Sequence, residues 1–302
     1  MIVRTEHLNK WYKRVIALND VSLGIEPGIT GLLGMNGAGK TSFMRILIGL
    51  MRESAGSVSV LGEAPFNNPK LARRIGYCPE HDGFYESMTG RQFVASLAQI
   101  RGVRDSAAAA ARAIDWVRMA EAADRKIVTY SRGMRQRIKI AQAVVHSPEL
   151  LVLDEPLTGS DPLVRQELIG LIRAYADRGG SVIVSSHVLH EIEQLTTRIV
   201  LIHRGRLVAD GDIRQIRDLI DRHPHTIEVK AARARELAAA LAREPEVVEI
   251  RLENDSLWIK TPKPDAFYAK LPKVALDSGA ELREITSADD NLEAVFRYLT
   301  EK

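Results

Sequence analysis

The stretch ITGLLGMNGAGKTSFMRILIGLM, residues 29–51, decides the fold of this chain. It begins with a short apolar run, a glycine-rich turn follows, and apolar residues then recur at helical spacing. A strand that passes through such a turn into a helix gathers backbone N–H groups and the positive end of the helix dipole at one point. The stretch therefore predicts an anion site at the start of a helix.

The turn itself, GMNGAGKT, has the spacing G-x-x-x-x-G-K-[ST] that cradles nucleotide phosphates. Gly34, Gly37 and Gly39 let backbone amides approach phosphate oxygens without an intervening Cβ. Lys40 offers a point charge to the β- and γ-phosphates, and Thr41 offers a hydroxyl to Mg²⁺. An incidental glycine-rich turn is the alternative, but the flanking strand and helix favour the cradle. The expected nucleotide contacts are Gly34, Asn36, Gly37, Ala38, Gly39, Lys40, Thr41 and Ser42.

Composition limits the classes to which the chain can belong. Its 302 residues are 45% hydrophobic and 27% charged, as in globular proteins with room for one large and one small domain. The net charge of +3 argues neither for nor against nucleic-acid binding. Cys78 is the one cysteine, so no internal disulfide can form and a reducing compartment is expected. The sequence shows no signal peptide and no apolar run of the ~20 residues that span a bilayer, so a membrane role would require a partner.

Alternating apolar strands and helices predict an α/β core whose mostly parallel sheet is covered on both faces. This is the P-loop NTPase type of core, and the short strands before the cradle add an antiparallel β subdomain. Residues 84–147 show only helical patterns, including five alanines at 107–111, and predict a helical insert. We expect residues 1–220 to form this nucleotide-binding domain.

Residues 225–302 are predicted to form a small α+β accessory domain. The expected order is strand 226–230, helix 233–243, strand 247–253, strand 256–261, helix 265–278, strand 281–286 and helix 290–299, with a hairpin turn at 254–255. That order favours a ferredoxin-like fold. The domain carries no catalytic constellation, so we interpret it as a dimerisation aid or a regulatory surface.

Two adjacent carboxylates, Asp154 and Glu155, end the apolar run of LLVLDEP. Asp154 can hold Mg²⁺ directly or through water. Glu155 follows it, so its side chain points elsewhere and can polarise a water for in-line attack on the γ-phosphate. An acidic pair that caps the next helix is the alternative. The second carboxylate favours hydrolysis over binding alone.

The cradle, YSRGMRQ, LLVLDEP, GSDP and SSH occur in the order found in ATP-binding cassette (ABC) ATPases, and residues 1–215 resemble this family. Two subunits of such ATPases meet head to tail and enclose two ATP molecules. The resemblance implies that Ser131, an expected helix N-cap, and Gly133 contact the γ-phosphate held by the opposite subunit's cradle. It also implies that Asp161 links the two sites across the dimer.

The resemblance assigns roles to further residues. Tyr12 matches the aromatic residue that stacks on adenine, with Trp11 as the neighbouring alternative and a core tyrosine as the other reading. His187 matches the histidine that contacts the γ-phosphate. The expected catalytic residues are therefore Lys40, Glu155 and His187.

The sequence also departs from the family pattern. The usual Leu-Ser-Gly-Gly-Gln reads Tyr-Ser-Arg-Gly-Met, and Arg132 either adds a charge near phosphate or faces solvent. Ser160 replaces the usual leucine before Asp161. Glu80 stands where most members have glutamine; it can bind Mg²⁺ but, while ionised, cannot donate a hydrogen bond. This glutamate resembles a bacterial exporter-type branch, and a lost switch is the alternative. The expected metal ligands are Thr41, Glu80 and Asp154.

The resemblance implies the ATP-hydrolysing subunit of an ABC exporter, with ATP and Mg²⁺ as cofactors. A multi-span membrane permease is the expected partner; it would dock near the helical insert and hold the chain peripherally at the cytoplasmic face of the membrane. Both half-sites are intact, which favours a homodimer over pairing with a related cassette, and nucleic acid is not expected. A soluble non-transport ABC ATPase and a regulatory ATP-sensing module are the alternatives. The single cassette without heptads weighs against the first, and Glu155 and His187 weigh against the second.

Overall fold

The computed structural model of the chain describes residues 1–213, 224–253 and 256–287. Contacts divide the chain into two compact units, Met1–Asp212 and Ile213–Lys302. Each unit has an apolar core of its own.

The first unit contains two sheets. Its strands are β1 (Val3–Tyr12), β2 (Val15–Ile25), β3 (Ile29–Leu33), β4 (Ala55–Val60), β5 (Ile75–Cys78), β6 (Leu150–Leu153), β7 (Ser181–Ser186), β8 (Arg198–His203) and β9 (Arg206–Asp212). Six of them form a sheet in the order β5-β6-β7-β3-β8-β9, in which only β9 is antiparallel to its neighbour. The other three form an antiparallel sheet in the order β2-β1-β4. The predicted parallel core and antiparallel subdomain are confirmed.

The helices of the first unit are α1 (Lys40–Leu47), α2 (Pro69–Ala72), α3 (Gly90–Ile100), α4 (Ser106–Trp116), α5 (Arg132–Val144), α6 (Pro162–Asp177) and α7 (Leu189–Glu193). The predicted helical insert corresponds to α3, α4 and α5, which contact one another. Side-chain caps set where these helices begin: Thr89 accepts from the Gln92 N–H, and Asp105 accepts from the Ala108 N–H.

One apolar core joins both sheets around α1. Phe43 and Met44 of this helix are fully buried, together with Leu8 of the antiparallel sheet and Val152 and Ile183 of the parallel sheet. Because α1 starts at the cradle, the same packing that stabilises the unit also holds the glycine-rich turn in place.

The second unit contains β10 (His225–Ala232), α8 (Ala234–Leu241), β11 (Glu249–Glu253), β12 (Ser256–Thr261), α9 (Pro264–Asp277) and β13 (Glu281–Ser287). Its antiparallel sheet has the order β11-β12-β10-β13, which is the ferredoxin-like arrangement predicted from the element order. Alternate residues of β10 point inward, and they pack on Leu237 of α8 and Phe267 of α9. The predicted turn at 254–255 and the predicted helix at 290–299 lie outside the described residues.

Across the described parts of the chain, we find no helix that is both long and apolar enough to cross a bilayer.

Replacing Phe43 with alanine should lower the free energy of unfolding of the first unit by about 3–5 kcal/mol, because the side chain is fully buried between the sheets. Phe66 is a suitable control, since its ring is largely exposed, and its replacement should cost no more than about 1 kcal/mol. Urea titration followed by circular dichroism measures both variants. Equal losses would contradict the placement of α1 in the core.

Candidate nucleotide-binding site

The cradle connects β3 to α1 and is confined by neighbouring backbone. Gly37 and Gly39 have φ angles of +78° and +110°, in the left-handed region that favours glycine. A Cβ at Gly39 would lie 2.5 Å from the carbonyl oxygen of Ala17, and one at Gly34 would lie 2.5 Å from that of Ile202. The two closely packed glycines therefore allow the loop to curl against β8 and the β2 strand, with its N–H groups at the start of α1.

Lys40 is buried at the centre of the cradle. Its ammonium donates to the carbonyl oxygen of Gly34 at 2.6 Å and lies 3.2 Å from Oε1 of Glu155. The predicted phosphate-binding cation and the predicted base are thus brought together, although 115 positions separate them in the sequence. The two side chains meet at the mouth of the cradle.

A cleft of about 440 Å³ opens over the cradle. Its lining includes Tyr12, Val15 and Ile16 at one end and Glu80 and Glu155 at the other. The Tyr12 hydroxyl lies 3.2 Å from Oγ of Ser42. Trp11 is not among the described residues that line the cleft, so of the two neighbouring aromatic residues Tyr12 is the one that lines it.

Asp154 and Glu155 follow β6 and are joined through Ser185 of β7. The Ser185 hydroxyl donates to Oδ1 of Asp154 at 2.8 Å and accepts the backbone N–H of Glu155 at 2.8 Å. Oδ2 of Asp154 is buried and has no hydrogen-bond partner among the described residues. Ser185 was part of the SSH motif, but the sequence did not indicate that it positions both carboxylates.

The orphaned Oδ2 of Asp154 fits a magnesium ion. Mg²⁺ takes one or two protein oxygens and completes its shell with water and substrate phosphates. The described residues contain no cluster of three or more His, Cys, Asp or Glu side chains that could hold a metal ion. Thr41, at the start of α1, and Glu80 carry the other predicted oxygens and line the cleft over the cradle, whereas Asp154 is buried and is not among the described residues that line it.

Glu155 has an unusual backbone conformation and a defined side-chain position. Its φ angle of +49° is strained for a residue with a Cβ. Its Oε2 accepts from the Thr158 hydroxyl at 2.9 Å and lies 3.0 Å from Nδ1 of His187. His187 therefore contacts the predicted base, and Thr158 is an orienting residue that the sequence did not reveal.

Glu80, which was expected to bind the metal ion, is held in place through its backbone. The Glu80 carbonyl accepts from the ammonium of Lys139 at 2.8 Å, and this buried ammonium also lies 3.2 Å from Oδ1 of Asp82. Arg135 forms two hydrogen bonds with Glu86, at 2.7 and 2.9 Å. Two cations of α5 therefore hold the loop of residues 80–86. Lys139 was missed because its role depends on a loop that lies far away in sequence.

The remaining predicted residues lie away from the cleft of their own chain. Ser131 caps α5 by accepting the Met134 N–H at 3.3 Å. Asp161 caps α6 in the same way, through the Val164 N–H at 2.9 Å. Gly133 packs against Val164, which a Cβ at Gly133 would approach to 3.1 Å. None of the three predicted contacts, Ser131, Gly133 and Asp161, is among the described residues that line the cleft.

Burial suppresses acid-base chemistry at the neighbouring strand β5. It raises the pKa of the Cys78 thiol to about 12, and Asp154 adds to the increase. The phenol of Tyr77 also has a pKa of about 12, again because of burial first and Asp154 second. Neither group therefore ionises near neutral pH.

Comparison with known proteins gives consistent matches. Residues 18–158 match the family model described as ABC transporter. The chain is 31% identical to the bacitracin transport ATP-binding protein BcrA of Bacillus licheniformis, over 98% of this chain and 96% of the relative. It is also 31% identical to the daunorubicin/doxorubicin resistance ATP-binding protein DrrA of Streptomyces peucetius, over 99% of this chain and 92% of the relative.

Two solved structures resemble about 70% of the chain. The structure of an ATP-binding subunit of an ABC transporter has a TM-score of 0.65 and 27% identity, covering 72% of this chain and 92% of that chain. A dimeric bacterial ABC transporter cassette also has a TM-score of 0.65, covering 70% of this chain and 99% of that chain. At 19% identity, the second match supports the fold alone.

Replacing Gly39 with alanine should abolish nucleotide binding, because the new Cβ would collide with the carbonyl of Ala17 and open the cradle. Gly62 provides a matched control: its φ angle of +83° carries the same backbone strain, but a Cβ there meets nothing within 4 Å. Titration with a fluorescent ATP analogue should show binding by the Gly62→Ala protein only. Retained binding by Gly39→Ala would contradict the observed loop geometry.

Proposed function

The chain belongs to the ATP-hydrolysing subunits of ABC transporters. On that premise we propose which of its residues bind ATP, which hydrolyse it and which contact the partners of an exporter. One observation carries the proposal: the Glu155 carboxylate lies 3.2 Å from the Lys40 ammonium and 3.0 Å from the His187 ring. A base, a phosphate-binding cation and a polar residue therefore converge at the mouth of one cradle.

In this proposal Lys40 and the cradle N–H groups hold the phosphates, and Tyr12 supports the base of the nucleotide. Glu155 accepts a proton from the water that attacks the γ-phosphorus, while the bond to the β-phosphate oxygen breaks and ADP leaves. Thr158 and His187 keep the carboxylate aimed at that water. The residues that would hold Mg²⁺ are Thr41, Asp154 and Glu80. When bound, the ion supplies positive charge to the phosphate oxygens.

We place the second half of each site on another copy of the chain. Ser131 and Gly133 lie at the exposed start of a 13-residue helix and do not line the cleft of their own chain. Such a helix start binds anions well, and in a head-to-tail dimer it would face the partner's γ-phosphate. Asp161 would join the two sites across the same interface. A solved cassette of the same fold is dimeric, and the intact half-sites of this chain favour a homodimer.

The proposed partner of this chain is a multi-span membrane permease, which would hold the chain at the cytoplasmic face of the membrane. The exposed apolar side chains of Tyr85 and Val128 support docking beside α3, with exposures of 71% and 58%. The Val128 N–H donates to the carbonyl of Glu86, so the two segments adjoin. The ferredoxin-like unit remains a proposed dimerisation aid or regulatory surface. The division into domains at 1–220 and 225–302 remains a prediction.

The substitution Ser131→Arg should stop ATP hydrolysis and leave the binding of one ATP per chain unchanged, because the bulky cation blocks the interface and not the cleft. Equilibrium dialysis with labelled ATP and a phosphate-release assay measure the two properties. Gln99→Arg, at an exposed position of α3, is the control and should keep both. Normal turnover by Ser131→Arg would mean that this residue does not act across a dimer.

Replacing Glu155 with glutamine should trap the dimer, because the nucleotide still binds but the proton acceptor is gone. Sedimentation velocity should show a dimer with Mg²⁺-ATP and a monomer with Mg²⁺-ADP. A monomer that retains bound ATP would exclude a self-sufficient homodimer and point to a related cassette or the permease as a required partner.

A further inference from the structure

A second cavity of about 470 Å³ lies beside the nucleotide cleft. The two spaces share Glu80 and Glu155 as lining residues, so these side chains form the wall between them. The far side of the second cavity is formed by α5, which contributes Arg132, Gln136 and Lys139. None of the roles assigned above uses this space.

The cavity contains uncommitted hydrogen-bond donors. Gln136 is only 6% exposed, and its Nε2 is buried without a hydrogen-bond partner among the described residues. A buried amide left in this way is costly, and such groups in native proteins usually serve a ligand or water. The Arg132 guanidinium packs over Gly159, where a Cβ would collide with it, and forms no hydrogen bond or ion pair with any described residue. Both donors are on the cavity side of α5.

The acidic groups of the cavity are mostly committed. Asp82 lies 3.2 Å from the Lys139 ammonium and 3.5 Å from Arg135, so its charge is balanced. Glu155 is engaged by Lys40, Thr158 and His187, as described above. Glu80 is the exception: its side chain is 45% exposed, and its carboxylate lies 3.7 Å from Nδ1 of His81. The cavity therefore presents an amide donor and a guanidinium opposite one available carboxylate.

We infer that this cavity binds inorganic phosphate, the product of ATP hydrolysis, after it has left the cradle. The inference rests on the proposed role of Glu155, because that residue places the reaction at the dividing wall. A ligand here must accept hydrogen bonds from Gln136 and Arg132 and also tolerate Glu80. Phosphate at neutral pH keeps at least one P–OH, which can donate to a carboxylate, whereas sulfate has none and would be repelled.

Phosphate in this cavity would be held by the helix that carries Ser131 and Gly133 at its start. Gln136 and Arg132 lie four residues apart on α5, hence on one face of the helix. Product phosphate would therefore leave toward the helical insert while ADP stays under Tyr12. The two products take separate routes, and loss of phosphate does not wait for loss of ADP.

The direct test is calorimetric titration of inorganic phosphate into the full chain saturated with Mg²⁺ and a non-hydrolysable ATP analogue, which occupies the γ-position of the cradle. One phosphate should bind per chain, and sulfate should bind at least about tenfold more weakly. No phosphate binding, or equal binding of both anions, would overturn the inference. Because no turnover is needed, this result is independent of the Ser131→Arg test, whose failure would instead refute the trans-acting site.

The variant Gln136→Leu separates a binding role from a structural one. It removes the unpartnered amide but keeps a side chain of similar shape, so the melting temperature should stay the same or rise. Phosphate affinity should fall about tenfold, since a hydrogen bond to a charged acceptor is lost. Gln142→Leu, on the same helix but outside the cavity lining, should keep the wild-type affinity. Unchanged affinity in Gln136→Leu would refute the assignment.

Discussion

The contact between the Lys40 ammonium and the Glu155 carboxylate is the constraint on which the site depends. Both groups are buried, and opposite charges in such surroundings are stable only when each is paired and hydrogen-bonded. The pair forms because β3 and β6 run in the same direction on either side of β7, so their carboxyl ends open at one edge. That sheet order thus positions the proposed phosphate-binding cation opposite the proposed base, and the hydroxyl of Ser185, near the end of β7, donates to the second carboxylate, Asp154.

The conformation and the burial of Glu155 both lower the stability of the fold. A left-handed backbone costs energy in a residue with a Cβ, and the carboxylate is buried as well. Three neighbours offset these costs: the hydroxyl of Thr158, the ring of His187 and the ammonium of Lys40. These three contacts hold the carboxylate toward the cradle, which is the orientation that its proposed role as a general base requires.

The parts of the site that lie within one motif could be predicted from the sequence, whereas those that depend on packing could not. Gly34 to Thr41 carry their chemistry in their spacing, and the ferredoxin-like order follows from the succession of strands and helices. Ser185, Thr158 and Lys139 act only because strands and loops distant in sequence become neighbours. The orphaned amide of Gln136 is visible only when all of its neighbours are known, since an isolated glutamine in a helix predicts nothing.

Helix α5 carries several basic residues after its N-cap Ser131, and its packing explains two of them, Arg135 and Lys139. Arg132, Arg135 and Lys139 recur at a spacing of three and four, so they form one face, and that face is turned toward the loop of residues 80–86. The Lys139 ammonium donates to the Glu80 carbonyl within the chain's own site. Ser131 is exposed and lies about two turns before Lys139 on the helix. In the proposed dimer, this 13-residue helix connects Glu80 of one cleft with the Ser131 that faces the partner's nucleotide. Lys139 and Arg135 therefore do not form a solvated surface, because both of them fasten the helix to the loop of residues 80–86 within the fold.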